Sequence, residues 1–218
     1  ELVAAKQVSP KELARCAAAA VEVINPAVNA VVETYPDRIE SLDEEALGHG
    51  PFRGVPFLIK DVYGHEAGRR IEFGSRLCKD MRVLTDTHVF ELFRTSGVNV
   101  LGRSATPEYS MAGTTEGALY GNTSNPWKEG YSTGGSSGGA MAAVIAGIVP
   151  IAHGTDIAGS VRYPAYACGI HGLRLTLGRA PTESELVGRL GISVTEHRAF
   201  LEQYARVQVR SLETRLEY

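Results

Sequence analysis

Residues Ser132 to Thr176 read STGGSSGGAMAAVIAGIVPIAHGTDIAGSVRYPAYACGIHGLRLT, and this stretch governs how the remaining sequence is read. Two glycine-serine clusters flank an alanine-rich run, with Ser136 in the first and Ser160 in the second, 24 residues apart. A serine among glycines is a candidate nucleophile, because the missing side chains let a substrate carbonyl approach backbone N–H groups. Taken alone, GGSSGG also reads as a flexible turn or linker. The residues after it separate the two readings. Gly138 to Ala146 has the pattern of a short helix ended by Gly147, and Val149 to Ala152 that of a strand. A Gly-Ser loop entering a helix presents N–H groups at the positive end of the dipole, where developing negative charge is stabilised. Gly154 to Ser160 repeats the arrangement after the strand.

Working outward, Val55 to Ile59 is a strand candidate that ends at Lys60-Asp61. Ser9-Pro10-Lys11-Glu12 is a capping box with proline at the first helical position. Leu13, Cys16, Ala17, Ala20, Val21 and Ile24 come next at helical spacing, and Asn25-Pro26 is expected to stop the helix. Asn29 to Thr34 reads as a short strand, and Asp37 to Leu47 as a second, acidic helix. Asp86 to Ser96 reads as a helix with Val89, Leu92 and Phe93 on one face and Gly97 as its stop; Val98 to Leu101 is a buried strand. Residues 104 to 138 are rich in Gly, Ser, Thr, Asn and Pro and should be mostly loop. Strand-helix-strand alternation favours an α/β layered fold. Residues 182 to 218 change texture: Ser193-Val194-Thr195-Glu196 is a second capping box, and Leu201, Tyr204, Ala205, Leu212 and Leu216 form an apolar stripe.

At 218 residues the chain can bury a substantial core, and 44% hydrophobic with 22% charged residues is ordinary for a globular protein. A net charge of −3 makes nucleic acid and anionic membrane poor partners, and no apolar run approaches the roughly 20 residues needed to span a bilayer. Cys16, Cys78 and Cys168 form no CxxC pair, which points to reduced core thiols and a cytoplasmic setting. The histidines show no metal-ligand spacing, so His153 and His171 are expected to be hydrogen-bonded structural residues; no metal and no cofactor is expected. The chain opens on Glu1, which implies that residues precede it.

The stretch from Ser132 to Thr176, with GVPFLIKD at residues 54–61 upstream, resembles the amidase signature family of Ser-cisSer-Lys amide hydrolases. Arg162, Pro164, Cys168 and Gly169 match as well. The resemblance implies a mixed central β-sheet between layers of α-helices, with residues 1–179 as the signature core and 180–218 as a helical segment from a later part of the same domain. It also implies roles for individual residues. Ser160 matches the nucleophile, Ser136 the bridging serine behind a cis peptide bond, and Lys60 the terminal base. The N–H groups of Ile157, Ala158, Gly159 and Ser160 match the oxyanion hole; most relatives carry glycine where Ala158 stands. Ser137, Asp156 and Arg162 are expected to support the nucleophile loop, with a solvent-exposed Asp156–Arg162 pair as the alternative. Ser132 and Thr133 read as hydrogen-bonders near the bridging serine. Met111 and Gly135 are candidate substrate contacts, and Leu119 and Tyr120 either line the same pocket or belong to the core.

Lysine can serve as the base only when neutral, and its reference pKa of about 10.4 makes that rare in water. Burial at the end of an apolar strand disfavours the charged form, and lowering the pKa to roughly 7 corresponds to about 4.6 kcal/mol. Neutral Lys60 could then draw a proton from Ser136, and Ser136 from Ser160.

Other readings are open. Gly134 to Gly138 satisfies G-x-S-x-G, with Asp156 and His171 later in triad order, but that elbow needs a strand before its serine, and Trp127 to Ser132 is polar loop. A non-catalytic truncated family member is possible, because relatives are far longer and a break is expected near residues 179–182 and again after 218. Within the family, one alternative is the glutamine amidotransferase subunit of the tRNA-dependent type. Phe73 to Leu77 and Thr114-Thr115-Glu116 favour instead stand-alone amidases of the 6-aminohexanoate cyclic-dimer hydrolase type. The expected substrate is a small amide, carbamate or oligomeric amide, acted on by a monomer or homodimer.

Overall fold

The computed structural model describes residues 2–174, 183, 184, 187 and 193–199. Within the chain, residues 1–174 and 175–218 form two compact units.

The first unit is built on a four-stranded sheet ordered β1-β3-β2-β6, with β1 at Val31–Thr34, β2 at Pro56–Lys60, β3 at Asn99–Ser104 and β6 at Ile151–Ala152. β3 runs antiparallel to β1 and parallel to β2, and β2 runs parallel to β6, so the sheet is mixed. A separate two-stranded ladder joins β4 (Glu116–Gly117) to β5 (Gly121–Asn122) within the predicted loop region. The register of β2 on β3 shifts between Phe57 and Leu58, so that Phe57 faces Val100 whereas Leu58 faces Gly102. Leu101 is the extra residue of this bulge.

Alternation along β2 divides the core in two. Leu58 and Leu101 pack with helix α1 (Pro10–Val28) and helix α3 (Gly138–Ile145) through Ala14, Ala17, Ala142 and Ala143. Phe57, Ile59 and Val100 pack on the other face with Phe90 and Phe93 of helix α2 (His88–Ser96). The helix α2 face predicted from spacing is therefore corrected: Phe90 and Phe93 meet the sheet, and Leu92 is exposed. Phe93 meets the Phe57 ring on the sheet, with centroids 5.0 Å apart.

The Ser9 capping box forms as predicted, but α1 runs through Pro26 to Val28. Proline removes only the bond to exposed Glu22, close to the helix end. Asn25 makes the exit, its Oδ1 accepting from the N–H groups of Ala30 and Val31 at 2.8 Å each, and Asn29 closes the helix in the left-handed region.

The acidic helix predicted over residues 37–47 does not form; a single 3-10 turn spans Pro36–Arg38. Its carbonyls have other partners. Arg38 O accepts from Asn99 Nδ2, Glu44 O from Arg53 Nη2, and Asp43 Oδ1 takes the N–H of Glu45 in a local turn that competes with helix.

A further helix, α4 (Arg162–Cys168), lies just after the second glycine cluster, where none was predicted. Pro164 sits in its first turn, where its missing N–H costs no helical bond.

In the second unit, Ser193 and Glu196 cap one another's backbone N–H groups, and residues 194–199 are helical. The apolar stripe from Leu201 to Leu216 and the break expected near 179–182 lie outside the described residues.

Candidate active site

Lys60 is the last residue of β2, and the two-residue period of the strand places it on the same face as Leu58, toward α3. Its side chain is 1% exposed and ends at the loop that enters α3. There Nζ donates to Ser136 Oγ at 2.6 Å and to Thr155 Oγ1 at 2.8 Å. Burial lowers the Lys60 pKa from its ordinary value to about 7, and the nearby Asp156 carboxylate opposes the fall. The backbone N–H of Lys60 points to His153 Nδ1 at 3.4 Å. Burial, with the Lys60 charge second, lowers His153 to about 4, so its imidazole is neutral at pH 7 and packs against Phe93.

The first glycine cluster is held on both sides. The Gly135–Ser136 peptide bond is cis. Thr106 Oγ1 donates to Ser136 O at 3.1 Å, and Thr115 Oγ1 donates to Gly134 O at 2.9 Å while accepting from Gly138 N at 3.0 Å. Glycine at 139 is required by close approach: a Cβ there would lie 2.5 Å from the backbone N and O of Ala105. This contact seats the start of α3 directly on the end of β3. Thr133 is buried and donates to Gly134 O, and Ser132 Oγ accepts from Gly134 N at 3.0 Å.

Ser137 joins the two glycine clusters. Its Oγ donates to Thr155 O and accepts from Thr155 N, and its N–H donates to Ser160 O at 3.1 Å. Asp156 organises the second cluster. Its carboxylate, 2% exposed, accepts from the N–H groups of Gly159, Val161 and Arg162 and takes both Nε and Nη2 of Arg162 at 3.0 and 2.9 Å. The Arg162 hydrogen bonds outweigh burial and hold the Asp156 carboxyl well below the usual carboxylate range. The solvent-exposed alternative for this pair thus fails on the Asp156 side.

Ser136 and Ser160 line one cleft of about 510 Å³, together with Met111, Gly135, Ile157 and Ala158. The Ser160 hydroxyl makes no hydrogen bond to any described residue, so the serine–serine link is open while the lysine–serine link is closed. Among the four N–H groups expected to form an oxyanion hole, that of Gly159 is engaged by Asp156 Oδ1 at 2.9 Å. Those of Ile157, Ala158 and Ser160 donate to no described residue.

Of the two readings open for Leu119 and Tyr120, the pocket one fails: neither lines the cleft, and Tyr120 joins a buried charge cluster. The Tyr120 hydroxyl, with a single proton to share, lies 2.8 Å from Asp61 Oδ2 and 2.6 Å from Glu72 Oε2. Arg103 sits between Asp61, Glu72 at 2.7 Å and Glu33 at 2.7 Å. Asp61 also accepts from the N–H groups of Glu72 and Gly74. Although burial alone would raise it, hydrogen bonds from Tyr120 and Arg103 lower the Glu72 pKa to about 2. Sequence reasoning missed this cluster and the threonines 106, 115 and 155. A charged residue inside the strand Asn99–Ser104 was the available signal, because a buried arginine demands carboxylates.

The elbow reading is excluded by the backbone: residues 127–137 contain no strand ahead of Ser136. Among the described residues, no cluster of His, Cys, Asp and Glu is arranged to hold a metal ion, and no helix is long and apolar enough to cross a membrane.

Residues 12–197 match the family model described as Amidase. The chain is 41% identical over 184 residues to a 6-aminohexanoate-cyclic-dimer hydrolase of Paenarthrobacter ureafaciens, covering 82% of this chain and 36% of the relative. It is 41% identical over 194 residues to an acylamidase of Rhodococcus erythropolis, covering 86% and 40%. A glutamyl-tRNA(Gln) amidotransferase subunit from Thiobacillus denitrificans is 38% identical over 196 residues, covering 87% and 39%. A solved structure of 6-aminohexanoate cyclic dimer hydrolase with substrate superposes with a TM-score of 0.73 at 39% identity, over 78% of this chain and 35% of that one. The chain thus spans well under half the length of these relatives.

Proposed function

Since the chain belongs to the amidase family, we propose that it carries the catalytic centre of an enzyme that hydrolyses the C–N bond of a carboxylic amide through an acyl-enzyme on Ser160. The observation that supports this most is a buried lysine with its amine 2.6 Å from a serine hydroxyl and its pKa near 7.

In the proposed reaction, neutral Lys60 accepts the proton of Ser136 as Ser136 accepts that of Ser160. Substrate loading is the step at which the Ser160 hydroxyl turns to Ser136, since catalytic hydrogen bonds commonly tighten only in the loaded site. Ser160 Oγ attacks the amide carbon, and the N–H groups of Ile157, Ala158 and Ser160 stabilise the oxyanion. The relay then runs in reverse and protonates the leaving nitrogen. Water repeats the sequence on the ester and releases the acid. Asp156 keeps its role indirect: it fixes the loop and occupies the Gly159 N–H in doing so.

Labelling with a fluorophosphonate and then peptide mapping tests the assignment. We expect one adduct, on Ser160, abolished in Ser160→Ala, a variant that keeps its fold. An adduct on Ser136 in place of Ser160 would reverse the roles of the two serines.

A further inference from the structure

Resting on the amidase reading, we infer that the wall this chain supplies to the cleft selects an uncharged, apolar acyl group and works against a zwitterionic amide such as glutamine. The lining residues carry the inference. Around Ser136 and Ser160 stand Tyr63, Tyr109, Met111, Ile157, Ala158 and Tyr163, and no Asp, Glu, Lys or Arg lines the cleft among the described residues. The one nearby ammonium, Lys60, is sealed behind Ser136.

These apolar groups are large, and they are held open. Met111 and Ile157 are each 86% exposed, an unusual state for such side chains unless a ligand or another segment covers them. Tyr63 and Tyr109 have φ of 62° and 50°, in the left-handed region that bulky residues avoid. Tyr109 is braced there, its N–H donating to Phe73 O at 2.7 Å and its ring stacked on Phe73. The Tyr163 ring packs over Gly134, where a Cβ would lie 3.1 Å from it. Phenol rings and a thioether reward apolar contact, and a charged group set against them gives up water without meeting an opposite charge.

A homologous series of p-nitroanilides from acetyl to hexanoyl tests this on the protein. Each methylene taken out of water is worth about fourfold in binding, and we expect kcat/KM to rise by about that factor per carbon over the first additions. Replacing the terminal methyl of the hexanoyl group by an ammonium should lower kcat/KM at least tenfold, and glutamine should be a poorer substrate still. Met111→Asp, at an exposed position where folding is not at risk, should flatten the series and narrow the penalty on the ammonium substrate. A flat series with Ser160 still labelled by the fluorophosphonate overturns the inference and leaves the amidase reading standing. Absence of both turnover and Ser160 labelling overturns the two together.

Discussion

Lys60 offers a perturbation whose size can be worked from its surroundings. Its amine holds a proton in the unfolded chain up to about pH 10.5 and loses it in the folded site at about 7. At pH 7 about half of the folded molecules therefore carry a neutral base, against roughly one in 3,000 for an ordinary lysine. We expect kcat/KM to climb about tenfold per pH unit below 7 and to level off above it. Stability must track the same group with a defined sign. Because the folded pKa lies below the unfolded one, the cost of burying the charge is fully present below pH 7. It amounts to about 5 kcal/mol, the 3.5-unit gap at 1.36 kcal/mol each. Between pH 7 and 10.5 the unfolded state binds more protons, so stability rises with pH, by at most about 1.4 kcal/mol per unit. Urea denaturation at intervals from pH 6 to 10, on the protein and on Lys60→Met, isolates the contribution from that of other groups. The variant should lose turnover and lose the stability slope across that window. An activity limb centred above pH 9, or an unchanged slope in Lys60→Met, would refute the argument that burial sets the base.

Two further outcomes are expected. Arg103→Leu strands the buried carboxylates of Asp61 and Glu72 and should cost about 3–5 kcal/mol in denaturant titration; a loss under about 1 kcal/mol would mean that the cluster rehydrates freely. Gly139→Ala drives a methyl to 2.5 Å from the Ala105 backbone, so the end of β3 and the start of α3 must separate, at about 1–3 kcal/mol with reduced turnover. A crystal structure of that variant with an unchanged Lys60–Ser136 distance would show that the seat of α3 does not govern the site.

The parts of the fold legible in the sequence were those written in local pattern. The Ser9 and Ser193 capping boxes, the stops at Gly97 and Gly147 and the strand ending at Lys60 depend on residues within a turn of one another. Glycine-serine clusters pointed to the candidate site because its loops are local too. The features that escaped were decided at a distance. The segment 37–47 has helix-compatible residues, yet partners more than five positions away take its carbonyls. Phe90 takes the core position in place of Leu92 because strands far away in sequence set which side of the helix is covered. Tyr120 stayed open between pocket and core because nothing near it in sequence announces Asp61 and Glu72, 59 and 48 positions away.

Lys60 and Asp61 are neighbours in the chain but serve opposite faces of the sheet, the amine turned to Ser136 and the carboxylate to Arg103. A slip of one position along this strand would exchange them. The carboxylate, too weak a base to take a serine proton at neutral pH, would then stand beside Ser136, and the amine would press against a guanidinium. Both errors are electrostatic and both are buried, so they reinforce each other. The pair therefore acts as a checksum on strand alignment: a misregistered sheet is penalised at the very position of the proposed base. Folding fidelity and the placement of the proposed base are enforced by the same two residues.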